Sequence, residues 1–274
     1  MSDNDADDHA PAYTLHRGTA PLLVSLPHVG TEIPEAMKPC FTTHSLAAED
    51  TDWHLDQLYD FARELGASLI VPRYSRYVID LNRPPENTPM YACANNTELC
   101  PTRSFTGSRL YREGEVPDEA QIAARCQQFW RPYHETLAAE LARVKARHGH
   151  AVLWEGHSIK SVLPWLFDGK LPDFNLGTAS GTSCAASLRS ALAQVLESQT
   201  EFTQVVDGRF KGGYITRHYG QPEAGIHAVQ LEMCWSCYMA ETPPFVIDPQ
   251  RAARLQPVLR SLLQTALEWR PDAA

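Results

Sequence analysis

Short apolar runs alternate along the chain with longer segments whose apolar positions recur at helical spacing. Pro21–Leu26 (PLLVSL) reads as a buried strand that ends at Pro27. From Thr51 to Leu65 the residues Trp53, Leu55, Leu58, Phe61, Ala62 and Leu65 predict a helix, stopped by Gly66. Ser68–Val71 and Tyr77–Leu81 (YVIDL) are two further strand candidates, the second closed by Asn82-Arg83-Pro84-Pro85. Residues 84–116 are rich in Pro, Asn, Thr and Gly with weak periodicity, and a loop of that length is usually functional or mobile. Pro117–Arg147 is predicted largely helical, with Asp118 and Glu119 in the first turn, where the helix dipole favours acids. Pro132 is expected to kink or break it. Ala151–Trp154 (AVLW) is a fourth strand, and residues 156–181 are again rich in loop signals. A helix over Thr182–Glu197, a late strand over Ala228–Met233 (AVQLEM) and an amphipathic helix over Arg251–Trp269, with Pro257 near its start, complete the pattern.

Strands of this kind, alternating with helices, predict an α/β fold around a largely parallel sheet buried on both faces. No Gly- and Pro-rich linker divides the chain. The expected arrangement is a polar, disordered lead over residues 1–12 and one domain over residues 13–270. Hydrophobic residues make up 43% of the 274, which is ample for a core of that size.

Charge narrows the partners. With 24 Lys and Arg against 33 Asp and Glu, the formal charge is −9, a poor starting point for binding nucleic acid. An acidic substrate must then be held by local arginines. No apolar run approaches the roughly 20 residues of a membrane span. Met1–Ala10 lacks the basic start and apolar stretch of a signal peptide, so the seven scattered cysteines are read as reduced thiols. A cytoplasmic protein acting on a small molecule is expected, with no membrane and no obligate protein partner.

In such sheets ligands bind off the carboxyl ends of the strands. His28 follows the first strand in Leu-Pro-His-Val-Gly, where Pro27 fixes the chain direction and Gly30 lets backbone pass close. His157 follows the fourth strand in Trp-Glu-Gly-His-Ser, and Glu232 lies near the end of the last. Asp80, Asn82 and Arg83 close the third, and Asp52 opens the first long helix. Two histidines and one carboxylate with a fourth position open make a catalytic zinc set. A separate carboxylate then takes the water proton and passes it to a leaving nitrogen. There is no His-Glu-x-x-His and no paired Cys-x-x-Cys of zinc spacing. A lone histidine after a strand is more often a hydrogen-bonded structural residue. His28 and His157 gain weight only by sharing a rim.

Six stretches carry a family resemblance: Pro27–Pro34 (PHVGTEIP), Asp50–Trp53 (DTDW), Tyr74–Pro84 (YSRYVIDLNRP), Glu155–Ile159 (EGHSI), Phe210–Arg217 (FKGGYITR) and Gln230–Met233 (QLEM). Together they run over nearly the whole chain. The sequence resembles the N-formylglutamate amidohydrolase, or deformylase, family of histidine degradation. The resemblance implies hydrolysis of N-formyl-L-glutamate to formate and L-glutamate. It also implies a fold similar to zinc carboxypeptidases, with a mixed sheet between helices.

Carried over residue by residue, His28, Asp52 and His157 fall on metal positions for one divalent ion, with zinc the chemical default for such a set. Glu32 is the alternative acidic ligand, one position beyond the carboxypeptidase spacing from His28; Asp52 is preferred because it matches the family's own Asp-Trp stretch. Glu232 falls where carboxypeptidase-like enzymes keep the general base. Glu155 is either a rival base or the partner that orients His157. Asn82 and Arg83 resemble a carboxylate-binding pair, while Arg76 is divided between substrate and a structural pairing with Asp80. Lys211, Gly213 and Arg217 resemble an anion-holding loop, a pattern that equally suits an ordinary hairpin.

Cys234-Trp-Ser-Cys237 has no second pair and reads as buried packing. Ser158, next to His157, lacks the Gly-x-Ser-x-Gly elbow of a serine hydrolase. His54, His134, His148 and His218 are expected at the surface or in packing. Competing functions are a metallohydrolase for another N-acyl amino acid or a peptide C-terminus, and a non-catalytic binding protein on the same scaffold.

Overall fold

The computed structural model describes residues 11–89 and 97–271. The expected lead over residues 1–12 thus lies, apart from Pro11 and Ala12, outside the described residues, as does Cys93. One seven-stranded sheet organises the rest. In chain order its strands are β1 (Tyr13–His16), β2 (Leu22–Ser25), β3 (Ser68–Pro72), β4 (Ala151–Ile159), β5 (Phe174–Gly177), β6 (Gln204–Val206) and β7 (Ile226–Cys234). They lie in the order β1-β3-β2-β4-β7-β5-β6. The central four are parallel; β1 joins β3 antiparallel, and β5 joins β7 antiparallel. The sheet is mixed and mostly parallel, as expected.

Side-chain alternation feeds a core on each face. Leu22, Val24, Val152, Trp154, Val229 and Leu231 pack on one side, and Leu23, Ile70, Leu153 and Ala228 on the other. The first side is covered by helices α1 (Leu55–Leu58), α2 (Phe61–Glu64), α5 (Ala186–Ser198) and α7 (Pro249–Glu268). Leu188, Leu192 and Leu196 of α5 and Leu255, Leu259, Leu262 and Leu263 of α7 recur at the helical period, and all are buried. The second side is covered by α4 (Arg131–His148) through Tyr133, Leu137, Leu141 and Val144.

Several elements differ from expectation, each for a local reason. The helix over residues 51–65 is two short helices, α1 and α2, because the chain before them serves the site. The Asp52 amide donates to the His28 carbonyl at 3.0 Å, and His54 is left-handed at φ 62°. Tyr77–Leu81 is not a strand. Its backbone turns instead, with Val78 N bonded to Ser75 O and Asp80 N to Leu99 O, while Tyr77, Val78, Ile79 and Leu81 still supply core.

The segment around Pro132 does not break. Helix α3 (Glu119–Arg125) runs into a π turn over Cys126–Trp130 and on into α4, with Pro132 in the first turn of α4. Arg131 N reaches back to Cys126 O, and the widened turn accommodates a ring that has no N–H to donate. Strands β1, β5 and β6 and helix α6 (Tyr214–Tyr219) carried no periodic signal. β4 extends to Ile159, so His157 lies inside a strand rather than after it.

Candidate active site

The carboxyl ends of β2, β4 and β7 open into a cleft. His28, Asp52, Arg76, Asn82, Arg83, His157, Arg209, Gly213, Gln230 and Glu232 all line it. Within it one ligand atom each from His28, Asp52 and His157 lies within 4.8 Å of the others, and all three residues are buried. The imidazole rings of His28 and His157 are 4.8 Å apart.

Each imidazole is gripped from behind by a carboxylate. His28 Nε2 lies 2.7 Å from Asp80 Oδ1, and the other Asp80 oxygen accepts from Arg76 Nη2 at 2.6 Å. His157 Nε2 lies 2.7 Å from Glu155 Oε1. The second Glu155 oxygen accepts from the Thr216 amide at 3.0 Å and from the Thr216 hydroxyl. Both Nε2 atoms therefore act as donors, and both Nδ1 atoms turn toward Asp52. His157 Nδ1 is 2.8 Å from Asp52 Oδ2, whereas His28 Nδ1, at 3.7 Å, has no hydrogen-bond partner although buried. An orphaned buried lone pair is costly in a core and ordinary in a metal ligand. The donor set fits a divalent ion held by His28, Asp52 and His157.

Electrostatics separate the two rings. Burial and the Arg76 charge lower the pKa of His28, against the pull of Asp80 and Asp52. Burial also opposes charge on His157, but Glu155 and Asp52 outweigh it and hold that imidazole well above its ordinary value. Glu232 is pushed up to about 8, chiefly by burial; Asp52 and Glu155 push the same way, while His157 and Arg76 oppose. Among the described residues its carboxylate accepts no hydrogen bond, in contrast to Glu155, whose two oxygens are both engaged.

Glu32 does not reach the cleft. It is half-exposed and pairs with Arg73 at 2.7 Å. Asn82 is fixed by the Ile215 amide, which donates to its Oδ1 at 2.9 Å, and its Nδ2 is 3.1 Å from His157 Nε2. Gly213 is needed beside it, since a Cβ there would come within 2.3 Å of Asn82 Nδ2. At Gly30 a Cβ would meet the Tyr74 carbonyl at 2.3 Å, so the turn after His28 requires that close approach. Arg83 lines the cleft and donates to Thr97, with Nη2 at 2.8 Å from the hydroxyl.

Lys211 and Arg217 stand apart from the other expected site residues. Both are exposed and neither lines the cleft; Arg217 Nε caps the Gly212 carbonyl at 2.8 Å at the start of α6, an N-terminal tie that the loop-like sequence concealed. Arg209, just ahead of the Phe210–Arg217 stretch, lines the cleft instead. Sequence reasoning missed it because a single arginine in a loop carries no pattern. Gln230 was also missed, although it is two residues from Glu232 on the same strand face; its Oε1 accepts from the Gly213 amide at 2.7 Å.

Ser158 bonds to the Tyr238 hydroxyl at 2.8 Å, not to an imidazole. Cys234 and Cys237 are buried against the carbonyls of Pro172 and Asp173, and burial pushes both thiols up, Cys237 to about 12. Their role is packing. Among the described residues no helix is long and apolar enough to cross a membrane.

Similarity to known proteins agrees with this geometry. A family model described as N-formylglutamate amidohydrolase matches residues 20–239. The chain is 49% identical over 256 residues to the N-formylglutamate deformylase of Pseudomonas putida, covering 93% of this chain and 96% of that protein. The deformylase of Pseudomonas aeruginosa matches to the same extent. Among solved structures, the N-formylglutamate amidohydrolase of Ralstonia eutropha JMP134 superposes with a TM-score of 0.77 at 23% identity, over 94% of this chain and 98% of that one. An Agrobacterium tumefaciens gene product gives 0.74 at 19%, over 96% and 97%. These two speak for the fold; the sequence matches speak for descent, and on them the chain belongs to the N-formylglutamate amidohydrolase family.

Proposed function

We propose that this chain hydrolyses N-formyl-L-glutamate to formate and L-glutamate in the cytoplasm, as a step of histidine degradation, using one zinc ion. The observation that carries the reading is the convergence of His28, Asp52 and His157 on one point, with an orphaned His28 Nδ1, beside a buried and unengaged Glu232. The whole of residues 13–270 would serve as one catalytic domain.

A zinc ion held there would polarise the formyl carbonyl and lower the pKa of water to about 7. Glu232 takes the proton of the attacking water and returns it to the amide nitrogen as the C–N bond breaks, because an amide anion is a poor leaving group. The products are formate and the free amine. The raised affinity of Glu232 for a proton suits this transfer near neutral pH; a nearby cation acts in the opposite direction and favours the basic form. Asp80 and Glu155 hold the two imidazoles in place. Asn82 and Arg83 bind a substrate carboxylate, with Arg83 offering a planar fork to two oxygens. Two guanidiniums on the cleft besides the Asp80-paired Arg76, those of Arg83 and Arg209, favour a dicarboxylate over a peptide C-terminus with a single carboxylate.

The test is metal content by elemental analysis, with turnover of N-formylglutamate, N-formylaspartate and N-acetylglutamate before and after chelation. The expected result is stoichiometric zinc, a preference for N-formylglutamate and loss of turnover in chelator that zinc restores. Full activity without a divalent ion, or equal rates on the other two amides, overturns the reading.

A further inference from the structure

The cleft has two charged walls that come from opposite sides of its central strands. Arg76 and Arg83 follow β3, on one side of the strands that carry His28, His157 and Glu232; Arg209 follows β6, the edge strand on the other side. The reacting centre lies between them in strand order. On the Arg209 wall, Leu166 and Phe210 supply apolar lining. Arg209 Nη2 donates to the Leu166 carbonyl at 3.3 Å, and its guanidinium carbon lies 5.4 Å from the Phe210 ring centroid. Phe210 is itself braced edge-on by Phe167, with ring centroids 6.2 Å apart. A guanidinium laid beside an aromatic ring keeps its planar fork in one orientation, which is how arginine recognises a carboxylate with two parallel bonds.

We propose that Arg209 binds the distal carboxylate of the substrate and thereby sets selectivity for an acidic side chain of glutamate length. The inference rests on the function proposed above. N-Formylglutamate carries one carboxylate on the carbon that bears the amide and a second at the end of two methylenes. With the amide at the centre and the first carboxylate on Asn82 and Arg83, the side chain extends along Leu166 and Phe210 to Arg209. The apolar lining suits the methylenes, and the fork meets the charge. In a chain of net charge −9 this local cation supplies what the overall field cannot.

The experiment compares N-formyl-L-glutamate with N-formyl-L-glutamine, an isostere that lacks only the distal charge, in zinc-loaded wild type, Arg209→Met and Arg209→Lys. In Arg209→Met the ratio of the two kcat/KM values is expected to fall by about 30-fold or more, the worth of one charge-assisted contact. Arg209→Lys, which keeps the charge but not the fork, should retain an intermediate ratio. Equilibrium binding of L-glutamate against L-glutamine to the same proteins should show the same ordering without turnover. If the ratio is unchanged, with both substrates losing activity together or neither losing any, Arg209 does not read the distal charge. Active wild type with an unchanged ratio overturns this inference alone; wild type inactive on N-formylglutamate removes the proposed function and this inference with it.

Discussion

His157 and Glu232 face each other across adjacent parallel strands, paired in the register of β4 and β7. The pairing sets a candidate base beside a candidate ligand on backbone that cannot shift without breaking the sheet. Replacing Glu232 by Gln keeps its shape and removes its proton-accepting role. We expect Glu232→Gln to lose about 10²- to 10⁴-fold in kcat, with zinc content unchanged. Steady-state kinetics together with elemental analysis check this, and a fully active variant would place the base elsewhere.

Asp80 and Glu155 should act on metal affinity rather than on chemistry. Each holds a histidine by the nitrogen opposite the shared point. Asp80→Asn and Glu155→Gln are each expected to weaken zinc binding by about 10- to 100-fold. Competition with a chromogenic chelator measures the loss. Asp80→Asn also leaves Arg76 buried without its ion pair, and removing one partner of a buried pair costs roughly 3–5 kcal/mol. Its melting temperature should therefore fall well below that of wild type. Unchanged zinc affinity in both variants would mean that neither carboxylate tunes its imidazole.

His134 predicts an acid-sensitive fold. Its Nε2 donates to the Leu81 carbonyl at 2.8 Å, its ring stacks on Trp130, and burial lowers its pKa from 6.5 to about 3. The folded chain thus keeps this ring neutral while the unfolded chain protonates it below pH 6.5. Stability is complete above that value and is lost as the pH falls toward 3. At 1.36 kcal/mol per pH unit, about 2 kcal/mol disappears between pH 6.5 and about pH 5. Urea unfolding at these two pH values should show a loss of stability that is smaller by about this amount in His134→Gln. Equal losses in the two proteins would show that His134 takes up its proton in the folded state.

Legibility in the sequence followed the reach of the interactions. Strands β2, β3, β4 and β7 were readable because each buries a run of apolar residues, and α7 because Leu255, Leu259, Leu262 and Leu263 repeat at the helical period. β5 and β6 were not, since four and three residues carry no period and β5 exists through its antiparallel pairing with β7. Tyr77–Leu81 misled because burial alone does not make a strand; its amides are spent on turns. At the site, His28, His157 and Glu232 emerged from the strand-end rule, whereas Asp52 needed the family resemblance to separate it from Glu32. Nothing local distinguishes the two, and only the folded chain turns Glu32 outward onto Arg73. Arg209 stayed hidden for the opposite reason: its partners, Leu166 and the cleft, are distant in sequence.

The π turn over Cys126–Trp130 sets the phase of everything that follows it. At 3.6 residues per turn, losing one residue there would rotate the preceding face by about 100° against α4. Trp130, the last residue of that turn, donates its indole N–H to the Arg83 carbonyl at 3.0 Å and lies against His134. A single extra residue in a distant helix therefore supports the backbone of an arginine in the cleft. The spacing between the α3 cap and Trp130 therefore matters to the cleft itself; a one-residue deletion here would carry the indole away from the Arg83 carbonyl while leaving both helices able to form.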